Sequence, residues 1–499
     1  MRLLIGGAER GPAVASAVIV ASLAILTLTV ISGLPAAPVS VLVIGVVGAV
    51  LLYRKALQWH ALLSVLALVI LLIPIRRYTI PVNMPFSLEP YRILVAVFIA
   101  LWVLALLADP RVRLRASGLG GPLFVIVLAT LASDIFNGDR IRQLSVRSDV
   151  LKSLTFFATF LLVLFFIVSV VRSRERVDSI LRVLVVGGAI VGVASMIEAR
   201  TGNNLFNHLS NPLFKLDSRI LTTEQVARGG RLRAYASAQH PIALAAVLVL
   251  LIPPAIYLAV ARNRIWWLPA SLILLGALST QSRTGITMLA AIVLVFFAIR
   301  PKQLRRFWPA LVPAILALHV ILPGTLGTIK SSFFPKGGLV SEQQNAPVGS
   351  GRLASSGPAL DQVRKVPLVG VGFGTRVFAL NRQNSFILDD QWLGTLLETG
   401  TLGVAGWVWL FLRFIRRMGR AAKGDKSREG WLPMAFAASI AAFALGMFTY
   451  DAFSFIQVTF VMYMMLGLGV AAVRLSPEPA RALAPNRLPQ TTALPSRAS

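Results

Sequence analysis

Cysteine is absent from the 499 residues, which removes a disulfide framework, a thiol nucleophile and any Cys-ligated metal centre. Histidine is scarce, with 4 residues, and carboxylates number 20 against 49 Lys and Arg. Only 14% of the chain is charged while 56% is hydrophobic, and the mean hydropathy is +0.75. A water-soluble chain of this length rarely carries that balance. The formal charge of +29 does not imply nucleic acid, because the basic residues stand in short clusters between apolar stretches and form no basic domain.

What the sequence does hold is apolar stretches of about 20 residues, the length a helix needs to cross a bilayer, repeated from Gly11 to Arg474. About 14 spans are centred near Ser22, Val46, Ala67, Ile99, Val127, Leu162, Gly188, Leu248, Leu272, Ile292, Ile315, Gly403, Ala441 and Tyr463. The expected fold class is all-α: a polytopic integral membrane protein with two long extracytoplasmic loops. The start, Met1 to Arg10 and an apolar run from Ala13 to Ile31, has the outline of a signal peptide, but the run is long for one and reads as an uncleaved first span.

With the N-terminus inside, the cytoplasmic turns hold Arg54 and Lys55, then Arg111, Arg113 and Arg115, then Arg172, Arg174 and Arg176. Arg262 and Arg264, the set from Arg300 to Arg306, and the run from Arg413 to Arg428 continue the series. The opposite turns near Pro35 and Asp451 have no Lys or Arg, the asymmetry of the positive-inside rule. Arg76, Arg77, Arg140 and Arg142 are exceptions on the outer side. Both termini then lie in the cytoplasm. The expected organisation is N-terminal spans over 1–198, an external loop over 199–240, central spans over 241–323, a long external loop with short helices over 324–390, C-terminal spans over 391–474 and a disordered tail over 475–499.

Four motifs carry chemistry. GGRLRAYASAQHP, Gly229 to Pro241, runs into a span; Pro241 suits a first helical turn, which puts His240 at a helix mouth. That is either a cap with loop arginines or, with Arg231 and Arg233, a site for phosphate or pyrophosphate. TQSRTG, Thr280 to Gly285, is a short outward turn that holds Arg283 at the membrane surface, either snorkelling or facing the same anion. The stretch from Ser350 to Thr375 contains Arg352, an amphipathic helix over 358–364 with Ala359, Leu360 and Val363 on one face, and Arg364 at its end. Its GVGFG lacks the strand before it and the Lys-Ser or Lys-Thr after it that a P-loop needs, so those glycines serve loop geometry.

The fourth motif is LDDQWLGTLLETGTLG, Leu388 to Gly403. Asp389 and Asp390 stand where carboxylates cap a helix start and complement its dipole. Glu398 lies two turns further along the face of Asp390 and requires a partner if submerged. Glu198, Arg231, Arg233, His240, Arg283, Arg352, Asp389 and Asp390 all fall on one membrane face under one topology, with almost no ionisable residue at mid-span. That layout suits a site gripping an anionic lipid headgroup better than an ion-coupled transporter.

The order of these motifs, RLRAYASAQHP before a span, TQSRTG between two spans, then SGR, PLVGVGFG and DDQWLGTLLETGTLG around a long loop, resembles the O-antigen ligase and polymerase family of bacterial envelope polysaccharide assembly, over Arg231 to Gly406. The resemblance implies a GT-C-like, metal-independent, inverting glycosyltransferase of the inner membrane, without a cofactor. Its expected partner is a polyprenyl pyrophosphate-linked oligosaccharide in membrane lipid, with a chain-length regulator or flippase beside it and no nucleic acid. It implies a pyrophosphate site at Arg231 or Arg233, with Arg283 and Arg352, and an acceptor-activating residue at Asp389 or Asp390; His240 and Arg364 complete the candidate substrate-binding set. Ligases onto lipid A often have His-Asn where this chain has Asp389 and Asp390, so the expectation leans to a polymerase. A polysaccharide-lipid flippase is the competing class.

Overall fold

The computed structural model describes residues 59–80, 89–109, 112–209, 215–216, 227–228, 231–304, 352–376 and 388–475, with isolated positions between 316 and 341. The expected spans near Ser22, Val46 and Ile315, parts of the two long loops and the tail after residue 475 lie outside the described residues.

Each of the other 11 expected centres falls within a helix. These are α1 (Trp59–Leu72), α2 (Pro90–Ala108), α3 (Gly120–Phe136), α4 (Arg147–Val170), α5 (Arg174–Thr201), α6 (Pro241–Ala261), α7 (Trp267–Ser279) and α8 (Arg283–Ile299). After α9 (Arg352–Lys365) come α10 (Gln391–Gly424), α11 (Trp431–Gly446) and α12 (Ile456–Arg474). Among the described residues 7 helices are long and apolar enough to cross a membrane, and 4 more are apolar and shorter. The protein is a multi-pass, all-helical membrane protein. The described strands are two-residue pairs: β1 (Tyr78–Thr79) with β2 (Lys215–Leu216), and β3 (Ala227–Arg228) with β4 (Arg231–Leu232), both antiparallel.

The helices α6 and α12 form the interior and pack on α5, α7, α8, α11 and α4. In such an interior every backbone group needs a partner from protein. Pro254 has no N–H to offer the carbonyl of Leu250, and the Ser439 hydroxyl of α11 donates to that carbonyl at 2.8 Å instead. The amide of Gln457 on α12 donates to the last carbonyls of α1, at Ile70 (2.8 Å) and Leu71 (3.3 Å). Close packing without a hydrophobic force between helices depends on small residues. Where α5 crosses α7, a Cβ on Gly276 would lie 2.4 Å from the Gly192 Cα, so nothing larger than glycine fits there.

Successive helices reverse direction, so the C-termini of α1, α3, α5, α7 and α11 meet the N-termini of α2, α4, α6, α8, α10 and α12 at one end of the bundle. The opposite end gathers Arg113, Arg172, Arg262, Arg300 and Arg428, members of the clusters that set the expected cytoplasmic face.

Candidate functional site

The turn between α11 and α12, residues 447–455, organises the first of these ends. The Gln391 N–H at the start of α10 donates to the carbonyls of Met447 (2.7 Å) and Tyr450 (3.2 Å), and the Gln391 side chain accepts from the Phe453 N–H at 2.8 Å. The Thr449 hydroxyl donates to that of Thr284, beside Arg283, at 2.9 Å. His240 stacks on Phe455 with ring centroids 6.1 Å apart. One short turn thus joins the starts of α6, α8 and α10.

Asp451 of the same turn belongs to a buried ionic centre. Arg376 lies between two carboxylates, with Nε donating to Glu398 Oε1 at 3.2 Å and Nη2 to Asp451 Oδ1 at 3.1 Å. The three side chains are 6%, 10% and 9% exposed. Burial works against the charge of Arg376, but Asp451 and Glu398 outweigh it and hold the guanidinium pKa above its usual value.

The backbone around this centre is broken. Gly400 interrupts α10 at φ 65°, ψ −167°, and segment 367–371 crosses the break. There the Thr401 N–H donates to Pro367 O (2.8 Å), Leu402 N–H to Leu368 O (3.3 Å), and Val371 N–H to Leu397 O (2.9 Å). Only glycine fits at 400, because a Cβ would lie 2.2 Å from the Leu368 carbonyl oxygen. Gly370, Gly372 and Gly374 also have positive φ, so the GVGFG glycines do serve loop geometry. The same segment is held from α3 by the Asp134 carboxylate, which accepts the Phe373 N–H at 2.7 Å, and by the Ser133 hydroxyl, which donates to Glu398 O at 2.5 Å.

Against this centre lies a cavity of about 220 Å³ between α4, α10 and α12. Its walls are aromatic, including Phe156, Phe160, Phe373, Trp407 and Tyr463, while Arg76, Lys152 and Arg376 against Asp149 and Glu398 supply charge. An ionised pocket with aromatic walls next to a broken helix can orient an amphipathic anionic substrate.

The predicted site residues are dispersed around this frame. Arg233 is buried, and its Nε donates to the Thr280 carbonyl at 3.0 Å, tying the first motif to the second. His240 is the N-cap of α6, its Nδ1 accepting from the Ile242 N–H at 3.2 Å, with Pro241 in the first turn as expected. Arg283 opens α8 and is half-buried. Asp390 is the N-cap of α10, accepting from the Leu393 N–H at 3.1 Å, while Asp389 just before it is half-exposed. Arg231 lies in β4 and Arg352 opens α9, and their side chains lie outside the described residues. Arg364 stands apart in an exposed pair with Asp361 at 3.1 Å.

Three details differ from expectation. Helix α9 begins at Arg352 rather than 358, and Leu360 is 41% exposed whereas Ala359 and Val363 are buried. Arg77, an exception to the charge rule, is a clasp: buried, it donates to Asn207 Oδ1 (2.8 Å) and to the carbonyls of Ala238 (2.7 Å) and Ala236. Burial pulls its pKa down to about 10 against the pull of Tyr235 and Glu198. Glu198 holds the same segment, accepting the N–H groups of Tyr235 (3.1 Å) and Ala236 (2.7 Å). Arg376 was missed as a site residue; the signal for it was Glu398, a submerged carboxylate in need of a cation.

A helical membrane protein with an ionic centre, an aromatic cavity and a broken helix at one end of the bundle is the class these observations define. Residues 268–408 match the family model described as O-antigen ligase, so the chain is O-antigen ligase-like over the stretch that holds Arg283, Arg376, Asp389 and Glu398. No curated protein matches the chain.

Proposed function

We propose that the protein is a metal-independent, inverting glycosyltransferase that transfers an oligosaccharide from a polyprenyl pyrophosphate onto an acceptor hydroxyl at the outer face of a bacterial inner membrane, with both termini cytoplasmic. The observation that carries this is the family match over 268–408, whose stretch brings Arg283 and the start of α10 to one turn.

In this reading Arg283, Arg233 and His240, with Arg231 and Arg352, hold the donor pyrophosphate and stabilise the negative charge that grows on it as the glycosidic bond breaks. Asp389 takes the proton of the acceptor hydroxyl as that oxygen attacks the anomeric carbon from the face opposite the leaving group. Asp390 acts as the cap that positions it. Arg376, through Glu398 and Asp451, keeps α10 in register with the 447–455 turn and is a positioning residue. The Asp389–Asp390 pair favours a polymerase over a ligase onto lipid A, and the aromatic cavity is the place for the acceptor glycan.

A strain lacking this gene and complemented with Arg283→Ala should accumulate externalised lipid-linked repeat units and make no long polymer, with the variant present in the membrane at normal level. Near-normal polymer from that variant removes Arg283 from the mechanism. Retention of the lipid-linked repeat on the cytoplasmic leaflet in the deletion strain makes the protein a flippase.

A further inference from the structure

The end of the bundle opposite the Arg376 centre holds a second cavity, of about 330 Å³, between the starts of α7 and α11. Its two walls come from one pattern that the chain carries twice: residues 262–269 read RNRIWWLP and residues 426–433 read KSREGWLP. Each has a base, a small polar residue, an arginine, two variable positions and Trp-Leu-Pro. The two copies also fold alike. The Asn263 side chain accepts the Ile265 N–H at 3.0 Å and the Ser427 hydroxyl accepts the Glu429 N–H at 3.1 Å. A single 3-10 turn follows in each, over Arg264–Trp266 and Arg428–Gly430, and Trp267 or Trp431 then opens an apolar helix.

The same four positions of each copy line the cavity, Arg262, Asn263, Arg264 and Trp267 facing Lys426, Ser427, Arg428 and Trp431, and among the described residues no carboxylate lines it. The arms are fixed before any ligand arrives. Arg262 binds Asp178 (2.5 Å) on α5 and Glu429 of the other arm. Arg300 supports the second arm from behind by donating to the carbonyls of Ser427 (3.2 Å), Ala422 (3.2 Å) and Asp425. With Arg262 offset by its carboxylates, Arg264, Lys426 and Arg428, all exposed, face the opening. Two helix N-termini meet there as well, which favours an anion. Next to the opening Ile265 and Leu268 are 67% and 62% exposed, an apolar strip at the level where tryptophans mark a membrane interface.

We propose that this twofold pocket seats the phosphate headgroup of an anionic membrane phospholipid, its acyl chains lying along Ile265 and Leu268 on α7. Phosphodiester oxygens suit the arginine forks, and basic pockets between spanning helices are places where such headgroups bind. Because the arms are alike, a lipid with two phosphates binds more tightly than a lipid with one.

The test uses full-length, delipidated protein in detergent, with binding read by native mass spectrometry and by the shift in thermal unfolding, so no readout depends on glycan transfer. The expected order is diphosphatidylglycerol, then phosphatidylglycerol, then phosphatidylethanolamine, with inorganic phosphate ineffective. The double variant Arg264→Gln, Arg428→Gln should weaken the anionic lipids at least about tenfold. The charge-matched pair Arg420→Gln, Lys423→Gln, exposed on α10 outside the pocket, should leave them unchanged. If the first pair does not accumulate, the single variants are each expected to weaken binding about threefold. Equal losses in both pairs, no preference for anionic over zwitterionic lipid, or equal binding of inorganic phosphate would each overturn the proposal.

Discussion

Both ends of the bundle hold an arginine between two carboxylates, and the two centres differ in burial and in charge. Arg376 sits with Glu398 and Asp451 where all three side chains are at most 10% exposed. Arg262 is itself 27% exposed and sits between Asp178, buried at 6%, and Glu429, 35% exposed. A second guanidinium, Arg174, also reaches Glu429 at 3.2 Å, and the Tyr257 hydroxyl donates to Asp178 at 2.8 Å. The Arg262 centre is thus balanced in charge and open on the side of Glu429, and clasps short turns together. The Arg376 centre holds two buried carboxylates on one guanidinium at the wall of the aromatic cavity, beside backbone that is not helical. An arrangement so demanding is retained in a membrane protein where function uses it.

Removing the cation from each centre separates the two most sharply. Arg376→Ala leaves Glu398 and Asp451 buried without their cation and is expected to destabilise by about 3–5 kcal/mol, read as a large drop in thermal unfolding temperature or loss of monodisperse protein. Gly400→Ala attacks the same end through its backbone. The strain of a positive φ and the contact with Leu368 O should cost about 1–3 kcal/mol, in the same assay. Arg262→Ala should cost less than Arg376→Ala, about 1–2 kcal/mol, since Tyr257 still donates to Asp178 and Arg174 still reaches Glu429. A loss equal to that of Arg376→Ala would erase the distinction between the ends. Arg364→Ala, outside both centres in a pair 79% and 70% exposed, should change stability by less than about 1 kcal/mol. An effect of that variant on transfer alone would restore Arg364 to the substrate site.

The spans were legible because hydropathy is local: the centre expected at Val127 lies within α3, and that at Gly403 within α10. Capping was legible for the same reason, and His240, Pro241 and Asp390 occupy the helix-start positions their chemistry suits. The ionic centre was not. Glu398 signalled the need for a partner, but Arg376 meets it across 22 residues and Asp451 across 75, and nothing in the sequence between them says which cation it is. The break in α10 was hidden too, because TGTLG around Gly400 reads as a continuous apolar span and the 367–371 segment supplies the missing partners from elsewhere. Arg77 looked like a misplaced surface charge and is an interior clasp, since a guanidinium with several carbonyl partners can be buried without a carboxylate in contact.

The most direct test of the account is transfer in proteoliposomes containing the purified protein and a polyprenyl pyrophosphate-linked oligosaccharide, without added metal, for wild type, Arg283→Ala and Asp389→Ala. The account predicts longer glycans from wild type alone, with both variants inserted and folded. Transfer undiminished in both variants, or movement of the lipid between leaflets with no new glycosidic bond, would contradict it.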